Sequence, residues 1–363
     1  MSDDIEEVKD KLRAKKSISK INWKKGLSSG STLFNLASTN LPSVCFMPGK
    51  YYWLIGDSQT GKTALSLSCL AEASINPHYD DYRFIYDNTE DGVLMDIEKL
   101  FGRSVAERIE PPSCDDKRNP IYSTTIQEFY YHLDDAVDQE TPFIYVLDSM
   151  DGIDSQEEQK TFEDNKQAFL KGKESKGTYG TSKAKANSSG MRRARNGLQS
   201  TDSILIIVSQ TRDNIGFGFN PQTVGGGKAL RFYATMEIWT SPKGKINKTV
   251  KGKQRQIGVT SQIHIKKNRH TGQESKVDLN IYYSHGIDDI GNMINFLIEE
   301  GHWQKTKSAK KMEFPEFGFS GTEDKFIEML EETRQEDKLK ELTAKVWNEI
   351  VEGCQLKRKK RYE

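Results

Sequence analysis

Short apolar runs alternate with amphipathic segments through the middle of the chain. The runs predict buried strands at 51–56, 82–87, 142–148, 203–210 and 234–240. Helical patterns follow the first two, at 64–74 and 92–101. Residues 261–268 and 276–284 alternate like an antiparallel pair. Buried strands that alternate with helices predict an α/β fold, with a mainly parallel twisted sheet covered by helices on both faces.

The ends of the chain have a different pattern. Residues 4–16 suit a short charged helix, 17–50 look irregular, and 155–195 are charged and rich in glycine and serine, without a clear core face. After about residue 290, apolar residues recur three and four apart, which predicts helices. We therefore predict a charged N-terminal segment (1–30), an α/β core (31–300), and a helical C-terminal region with a basic tail (301–363).

Composition limits the possible functions without choosing one. The chain has 53 Lys plus Arg and 53 Asp plus Glu, so nucleic-acid binding would depend on local basic segments. The four cysteines do not have the spacing of metal ligands. We interpret them as ordinary thiols of a protein in a reducing compartment. No apolar run is long enough for a membrane span, and the charged N-terminus lacks the apolar centre of a signal peptide. We expect a cytoplasmic, nucleoid-associated protein without a membrane partner.

The segment "GDSQTGKT" after the first strand fits the phosphate-loop pattern G-x-x-x-x-G-K-[ST]. Its glycines allow a tight turn with N–H groups directed at phosphate, and the following helix N-terminus adds positive charge. Lys62 would reach the β- and γ-phosphates of ATP, and the Thr63 hydroxyl would bind Mg²⁺. The predicted nucleotide-binding residues are Gly56, Asp57, Ser58, Gln59, Thr60, Gly61, Lys62, Thr63 and Ala64, together with Asp148.

Acidic residues follow two other predicted strands. Asp148 ends one of them, where a phosphate-loop fold has its second magnesium ligand. Glu90 follows another and could orient and polarise the attacking water. Asp87 and Asp91 are rivals for that role, and the local sequence does not choose between them.

A glycine-rich segment, Thr211 to Gly227, directly follows the strand that ends at Gln210. A mobile loop on a rigid scaffold usually has a function. Glycine N–H groups and cationic side chains can hold phosphates, and an apolar side chain can separate bases. A second basic segment, 171–195, precedes the same strand.

The order and spacing of these motifs resemble the RecA family of recombinases. The resemblance rests on the phosphate loop, Glu90, "VLDS" at 146–149, Gln210, "GGKALRFYA" at 226–234 and "KKNR" at 266–269, and it covers roughly residues 30–300. It implies that Gln210 senses the γ-phosphate, and that Lys267 and Arg269 reach the nucleotide of the neighbouring subunit. The DNA contacts that it implies are Lys185, Arg192, Arg212, Ile215, Gly226, Gly227 and Lys228.

The chain also departs from that family. The position of the family's adenine-stacking aromatic falls on Ile97, so base selectivity is left open. The N-terminal docking segment of the family is not recognisable in residues 1–30, and the chain ends in the basic "LKRKKRYE" rather than an acidic tail. A compact, divergent member of this kind suits a bacteriophage.

The resemblance implies a DNA-dependent ATPase that forms helical filaments on single-stranded DNA and promotes pairing and strand exchange with homologous duplex DNA. ATP and Mg²⁺ are its expected cofactors, and mediator and single-strand-binding proteins are further expected partners. Two alternatives stay open: a ring-forming DNA helicase or translocase, and a regulatory recombinase paralogue.

Overall fold

A computed structural model describes residues 21–90, 96–172, 182–213, 222–225, 227–304, 311–359 and 361. The strands are β1 (Lys50–Gly56), β2 (Arg83–Asn88), β3 (Ile109–Glu110), β4 (Ser113–Cys114), β5 (Pro120–Ile121), β6 (Phe143–Asp148), β7 (Ile204–Asp213), β8 (Gln222–Val224), β9 (Met236–Val250), β10 (Lys253–Asn268), β11 (Ser275–Tyr282), β12 (Gly286–Ile287), β13 (Met312–Phe314) and β14 (Phe319–Gly321).

The helices are α1 (Thr32–Thr39), α2 (Lys62–Ser74), α3 (Ile97–Phe101), α4 (Arg103–Arg108), α5 (Ile126–Asp138), α6 (Gln156–Leu170), α7 (Ser182–Ser200), α8 (Lys228–Tyr233), α9 (Asp289–Glu299), α10 (Glu323–Thr333) and α11 (Glu336–Gly353). The predicted helix at 4–16 lies outside the described residues, as does the beginning of the one predicted at 92–101. No helix in the described ranges is both long and apolar enough to cross a bilayer.

One large sheet organises the protein, in the order β12-β11-β10-β9-β1-β7-β6-β2-β3. The strands from β9 to β3 pair in parallel, and β10, β11 and β12 continue the sheet antiparallel. This arrangement confirms the predicted mainly parallel sheet and the predicted antiparallel pair. Because β1, β2, β6 and β7 are parallel, their carboxyl ends meet at one edge, where the phosphate loop lies.

Helices cover both faces of this sheet, as predicted. On one face, β1 contributes Tyr52 and Leu54 to a core with Leu65 and Leu70 of α2. On the other face, Trp53 and Ile55 of the same strand join a second core with residues of α5 and α7. The alternation follows from the two-residue period of a strand, and it explains why these strands are apolar on both sides.

The prediction that residues 17–50 are irregular was wrong, because α1 lies within them and all eight of its residues are buried. Ser31 caps its N-terminus, and Asn40 ends it in the left-handed conformation. Its Ser, Thr and Asn side chains interrupt the apolar pattern by which a helix is predicted from the sequence. In the fold they are satisfied by hydrogen bonds, for example from Ser38 Oγ to the Phe34 carbonyl at 2.7 Å.

The prediction that residues 155–195 lack a core face was also wrong for α7. Its residues Asn187, Gly190, Met191, Ala194 and Leu198 are buried at helical spacing. Tyr130 of α5 packs so closely that a Cβ on Gly190 would lie 2.4 Å from its ring. Small residues therefore let α7 approach α5, and they also weaken the apolar pattern in the sequence.

The C-terminal region has its own apolar core, formed by α9, α10, α11, β13 and β14 around Trp303, Phe314 and Phe326. Hydrogen bonds attach it to α1 and its C-terminal cap: the Trp347 indole donates to Asn40 Oδ1 at 2.9 Å, and Asp289 accepts from the Thr32 N–H at 2.6 Å and from the Thr32 hydroxyl at 2.7 Å. The helices at its centre were predicted, whereas the small β13–β14 hairpin was not. The proposed division at residues 30 and 300 stays a prediction.

Candidate functional site

The phosphate loop joins β1 to α2 and contacts residues of β9 and β10. Gly56 lies against Thr240, and a Cβ at Gly56 would be 2.0 Å from the Thr240 hydroxyl oxygen. Thr60 shares a 2.6 Å hydrogen bond with the same hydroxyl, and its carbonyl accepts from Ser261 at 2.7 Å. Gly61 has φ +83°, which favours glycine, directly before α2. The turn is thus fixed by its neighbours, with the N-terminus of α2 behind it.

Lys62 is buried at the centre of this turn. Its ammonium donates to the Gly56 carbonyl at 2.9 Å and to the Asp57 carbonyl at 2.6 Å. Burial lowers the pKa of Lys62, and the charge of Asp148, followed by that of Glu90, acts in the opposite direction. Carboxylates nearby therefore favour the charged form that a phosphate-binding lysine needs.

Thr63 and Asp148 lie together, as the sequence predicts. The Thr63 hydroxyl donates to Asp148 Oδ2 at 2.8 Å, and the Tyr86 hydroxyl donates to the same oxygen at 2.6 Å. Burial raises the pKa of Asp148, and these two hydrogen bonds lower it. A hydroxyl and a carboxylate at the end of the phosphate loop are the oxygen ligands that Mg²⁺ prefers. These two side chains fit a nucleotide-bound magnesium ion.

Glu90 extends from the end of β2 into the same edge of the sheet. Its carboxylate accepts hydrogen bonds from the Ser149 hydroxyl and from the Gln210 amide, the latter at 2.9 and 3.2 Å. Its side chain is exposed, so water can reach it. The structure thus brings together two residues that are 120 positions apart in the sequence.

Asp87, one rival of Glu90, lies within β2 on the same face as Ile85, which packs in the core with α5 and α7. It is fully buried and accepts hydrogen bonds from the Ser123 N–H, the Ser123 hydroxyl and the Tyr145 hydroxyl at 2.5 to 2.9 Å. Burial raises the pKa of Asp87, and the Ser123 hydrogen bonds lower it. Its contacts give it a structural role in the core. The other rival, Asp91, lies outside the described residues.

Two further acidic residues, Asp151 and Asp57, bind the chain where β7 stops pairing with β1. The sequence did not predict that either residue would contact this part of β7. Asp151 accepts from the Gln210 backbone N–H at 2.7 Å, and Asp57 accepts from the Thr211 hydroxyl. The phosphate loop and the beginning of the glycine-rich segment are therefore in direct contact. Asp57 and Thr211 are 154 positions apart, so no local pattern could have indicated the pair.

The predicted DNA contacts that the structure describes lie on α7 and α8. Lys185 and Arg192 are exposed, two turns apart on α7, and Lys228 is exposed at the start of α8. Gly227, with φ +83°, packs on α7, since a Cβ there would lie 2.7 Å from the Ala184 Cβ. The end of the glycine-rich segment thus contacts the helix that contains much of the other basic segment. Ile215, Gly226 and the side chain of Arg212 lie outside the described residues.

A long hairpin formed by β9 and β10 was missed. The predicted strand at 234–240 continues to Val250, and β10 returns from Lys253. The extension is exposed and carries Lys243, Lys245, Lys248, Lys251, Lys253 and Arg255, with no acidic residue between Glu237 and Glu274. Absence of acidic residues over this range was the signal that could have indicated a basic surface.

Lys267 and Arg269 lie away from the phosphate loop of their own chain. Lys267 of β10 pairs with Glu237 of β9, and Glu237 pairs in turn with Trp53 of β1. Trp53 comes three residues before Gly56, where the phosphate loop begins. Three residues along a strand correspond to about 10 Å. Lys267 donates to the carbonyls of Arg231 and Phe232 at 2.6 and 3.0 Å, and Arg269 donates to Phe232 at 2.7 Å. Burial, and next the charge of Arg269, lower the pKa of Lys267 to about 8.

Ile97 is the first residue of α3 and is partly buried against the core on the α2 side of the sheet. It cannot stack on a base as an aromatic ring does. Base selectivity thus stays open.

Comparisons with known proteins find similarity to RecA proteins. The family model described as the RecA N-terminal domain matches residues 165–288, which contain Gln210, the glycine-rich segment, Lys267 and Arg269. The chain is similar to the RecA family over these residues. The mainly parallel sheet described above agrees with that similarity.

Individual RecA proteins are distant relatives of this chain. It is 26% identical to Protein RecA of Thermus thermophilus over 188 residues, or 50% of this chain and 53% of that protein. It is 26% identical to Protein RecA of Cytophaga hutchinsonii over 270 residues, or 72% of this chain and 65% of that protein. Protein RecA of Chlorobaculum parvum is 25% identical over 289 residues, or 76% and 71%. The chain therefore spans between about half and seven tenths of the length of these RecA proteins.

Proposed function

We propose that this protein, like the RecA proteins that it resembles, is a DNA-dependent ATPase that forms helical filaments on single-stranded DNA and promotes homologous pairing and strand exchange. The observation that carries the proposal is the contact between Glu90 and Gln210. It joins the residue proposed to act on water to the residue that begins the glycine-rich segment. A change at one of these sites would directly alter the surroundings of the other.

The phosphate loop and its neighbours support the ATPase part of the proposal. ATP bound with Mg²⁺ would supply the phosphoanhydride bond that is hydrolysed. Lys62 would bind the β- and γ-phosphates, while Thr63 and Asp148 would hold the metal. Glu90 would orient the attacking water and accept its proton. Its exposed carboxylate, fixed by Ser149 and Gln210, suits that role better than the buried Asp87.

Basic surfaces near the same sheet edge support the binding of DNA. Exposed Lys185, Arg192 and Lys228 can contact phosphates without reading the base sequence. The β9–β10 hairpin adds six cations and extends from the strand end that pairs with Gly56, so it projects beyond the edge of the phosphate loop. Ile215 is proposed to separate bases, and Arg212, Gly226 and Gly227 to contact the backbone.

Lys267 and Arg269 support assembly into a filament. Lys267 lies three strand residues away from the level of Gly56, and Arg269, beyond the end of β10, lies further still. This distance favours the nucleotide of a neighbouring subunit over their own. A cation supplied by a neighbour would stabilise the charge that develops in phosphoryl transfer. Hydrolysis would then require assembly, and a head-to-tail contact that does not close gives a helical filament rather than a ring.

Mixing two inactive variants tests this arrangement. Lys62→Ala has a defective phosphate loop but an intact Lys267, and Lys267→Ala has the opposite defect. In an equal mixture, about a quarter of the sites would combine both intact parts, so we expect about a quarter of the wild-type ATPase rate. The measurement is ATP hydrolysis on single-stranded DNA at several mixing ratios.

Each variant alone and Lys345→Ala, which changes an exposed lysine on α11, are the controls. Lys345→Ala should keep the wild-type rate. If no mixing ratio recovers ATP hydrolysis while the wild-type protein is active, each subunit completes its own site. A wild-type rate that does not depend on protein concentration or on single-stranded DNA would contradict the proposed function itself.

A further inference from the structure

Three carboxylates hold the end of β7 where it leaves the sheet. Asp151 binds the Gln210 backbone, Glu90 binds the Gln210 side chain, and Asp57 binds the Thr211 hydroxyl. Only Asp57 belongs to the phosphate loop. It therefore provides a connection to the glycine-rich segment that does not pass through Gln210 or Glu90.

Asp57 is also connected to the lysine of the phosphate loop. Its backbone carbonyl accepts from the Lys62 ammonium at 2.6 Å and from the Thr60 hydroxyl at 2.8 Å. The ammonium has three N–H donors and uses two of them on the Gly56 and Asp57 carbonyls, so a bound phosphate competes with the Asp57 carbonyl for the same positive charge. Nucleotide binding would thus change the contacts of the Asp57 backbone, while the Asp57 side chain remains joined to Thr211.

Charge gives the Asp57 side chain a second reason to respond. A triphosphate brings several negative charges next to a carboxylate, which raises the energy of that carboxylate by like-charge repulsion. A hydroxyl donor offsets part of this cost, and hydrogen bonds to charged groups are stronger than neutral ones. The bond from Thr211 to Asp57 should therefore contribute more when nucleotide is bound than when it is not.

Thr211 is well placed to pass this difference on. It pairs with Val224, and the pairs Arg212–Thr223 and Asp213–Gln222 continue the short antiparallel ladder of β7 and β8. This ladder closes the base of the glycine-rich segment. Fixing Thr211 fixes the first rung of this ladder, so that the described base of the segment is already ordered when DNA binds.

We propose that Asp57 is a positioning residue that ties the phosphate loop to the base of the glycine-rich segment through Thr211, and so determines how strongly nucleotide raises the affinity for single-stranded DNA. This proposal rests on the proposed function. The proposed function requires a nucleotide site and a DNA site, whereas the role of Asp57 concerns how strongly these two sites are coupled.

The test is a double-mutant cycle on that coupling. The affinity of the full-length protein for a fluorescent oligodeoxythymidine is measured in Mg²⁺ with and without a non-hydrolysable ATP analogue, and the ratio of the two affinities is the gain. Thr211→Val keeps the shape and removes the hydroxyl, Thr211→Ser keeps the hydroxyl, and Asp57→Asn removes the charge. We expect Thr211→Val to reduce the gain about three- to tenfold, and Thr211→Ser to retain the wild-type gain.

The double variant Asp57→Asn/Thr211→Val should lose no more than Thr211→Val alone, because Thr211→Val removes the hydrogen bond that Asp57→Asn weakens by removing its charge. Losses that add in the double variant, or a full gain in Thr211→Val, would overturn the proposal while leaving the function intact. An equal loss in Thr211→Ser would also overturn it, since that variant keeps the donor. If Thr211→Val does not fold, as judged by its thermal transition, the gain in DNA affinity is compared between Asp57→Asn and Thr211→Ser instead. The proposal then requires a reduced gain in Asp57→Asn and the wild-type gain in Thr211→Ser.

The wild-type protein separates this proposal from the proposed function. A wild-type gain in DNA affinity on addition of the ATP analogue is required by the function. If the wild type binds DNA equally with and without the analogue, both the function and the coupling role of Asp57 are contradicted.

Discussion

Lys62→Ala is expected to reduce ATP hydrolysis by about 100- to 1,000-fold or more, the loss typical of removing a charged group that stabilises the transition state. The ammonium of Lys62 is buried beneath the phosphate loop, next to the Gly56 and Asp57 carbonyls. It is the cation at this position that would stabilise charge on the transferred phosphoryl group. The fold should persist, because Lys62 begins α2 rather than filling a core.

The measurement is steady-state ATP hydrolysis with single-stranded DNA at saturating ATP, alongside the thermal transition of each variant. Lys62→Arg is an informative companion, since it keeps the charge but places a wider planar group in a tight turn. It should also be strongly impaired. Turnover of Lys62→Ala within tenfold of wild type would mean that another cation performs this role.

Glu90→Gln should have the second large effect, slowing hydrolysis by about 100- to 10,000-fold as expected for loss of a general base. Glutamine has nearly the same shape and can still accept from Ser149 or Gln210, but it cannot take a proton. Binding of ATP and DNA should therefore survive, and filaments should be long-lived. Single-turnover hydrolysis and DNA affinity with ATP measure the two expectations separately.

Asp87→Asn provides the comparison within the same strand. Asp87 is buried and accepts from Ser123 and Tyr145, so its loss should lower the thermal transition instead of selectively slowing hydrolysis. If Glu90→Gln keeps full turnover, Asp91 becomes the better candidate, and the Asp91→Asn variant would then show the loss.

The sequence predicted the parts of the fold that follow simple periodicity. The strands β1, β2, β6 and β7 are apolar because both faces are covered, and each was predicted to within a few residues. α1 was missed because its polar side chains bond to the backbone, so burial is not visible as hydrophobicity. The β9–β10 hairpin was missed because an exposed ribbon has no apolar alternation.

The site was predictable to a similar extent. The phosphate loop and Asp148 have local patterns, and the structure brings Thr63 and Asp148 within 2.8 Å. The carboxylates around Gln210 could not be found in the same way. Asp57 meets Thr211 only because β1 and β7 are neighbours in the sheet, with Gly56 level with Gln210. Such a contact depends on strand order, which the sequence does not state.

A strand-exchange assay shows whether the protein acts as a recombinase. Protein assembled on a single strand is mixed with homologous duplex DNA in the presence of Mg²⁺ and either ATP or a slowly hydrolysed analogue, and transfer of the labelled strand is followed over time. Heterologous duplex of the same length and composition is the control. We expect transfer that requires nucleotide and homology and that is absent with Lys62→Ala. Equal displacement of homologous and heterologous strands would indicate a helicase or translocase, and no transfer despite DNA-stimulated hydrolysis would contradict a recombinase.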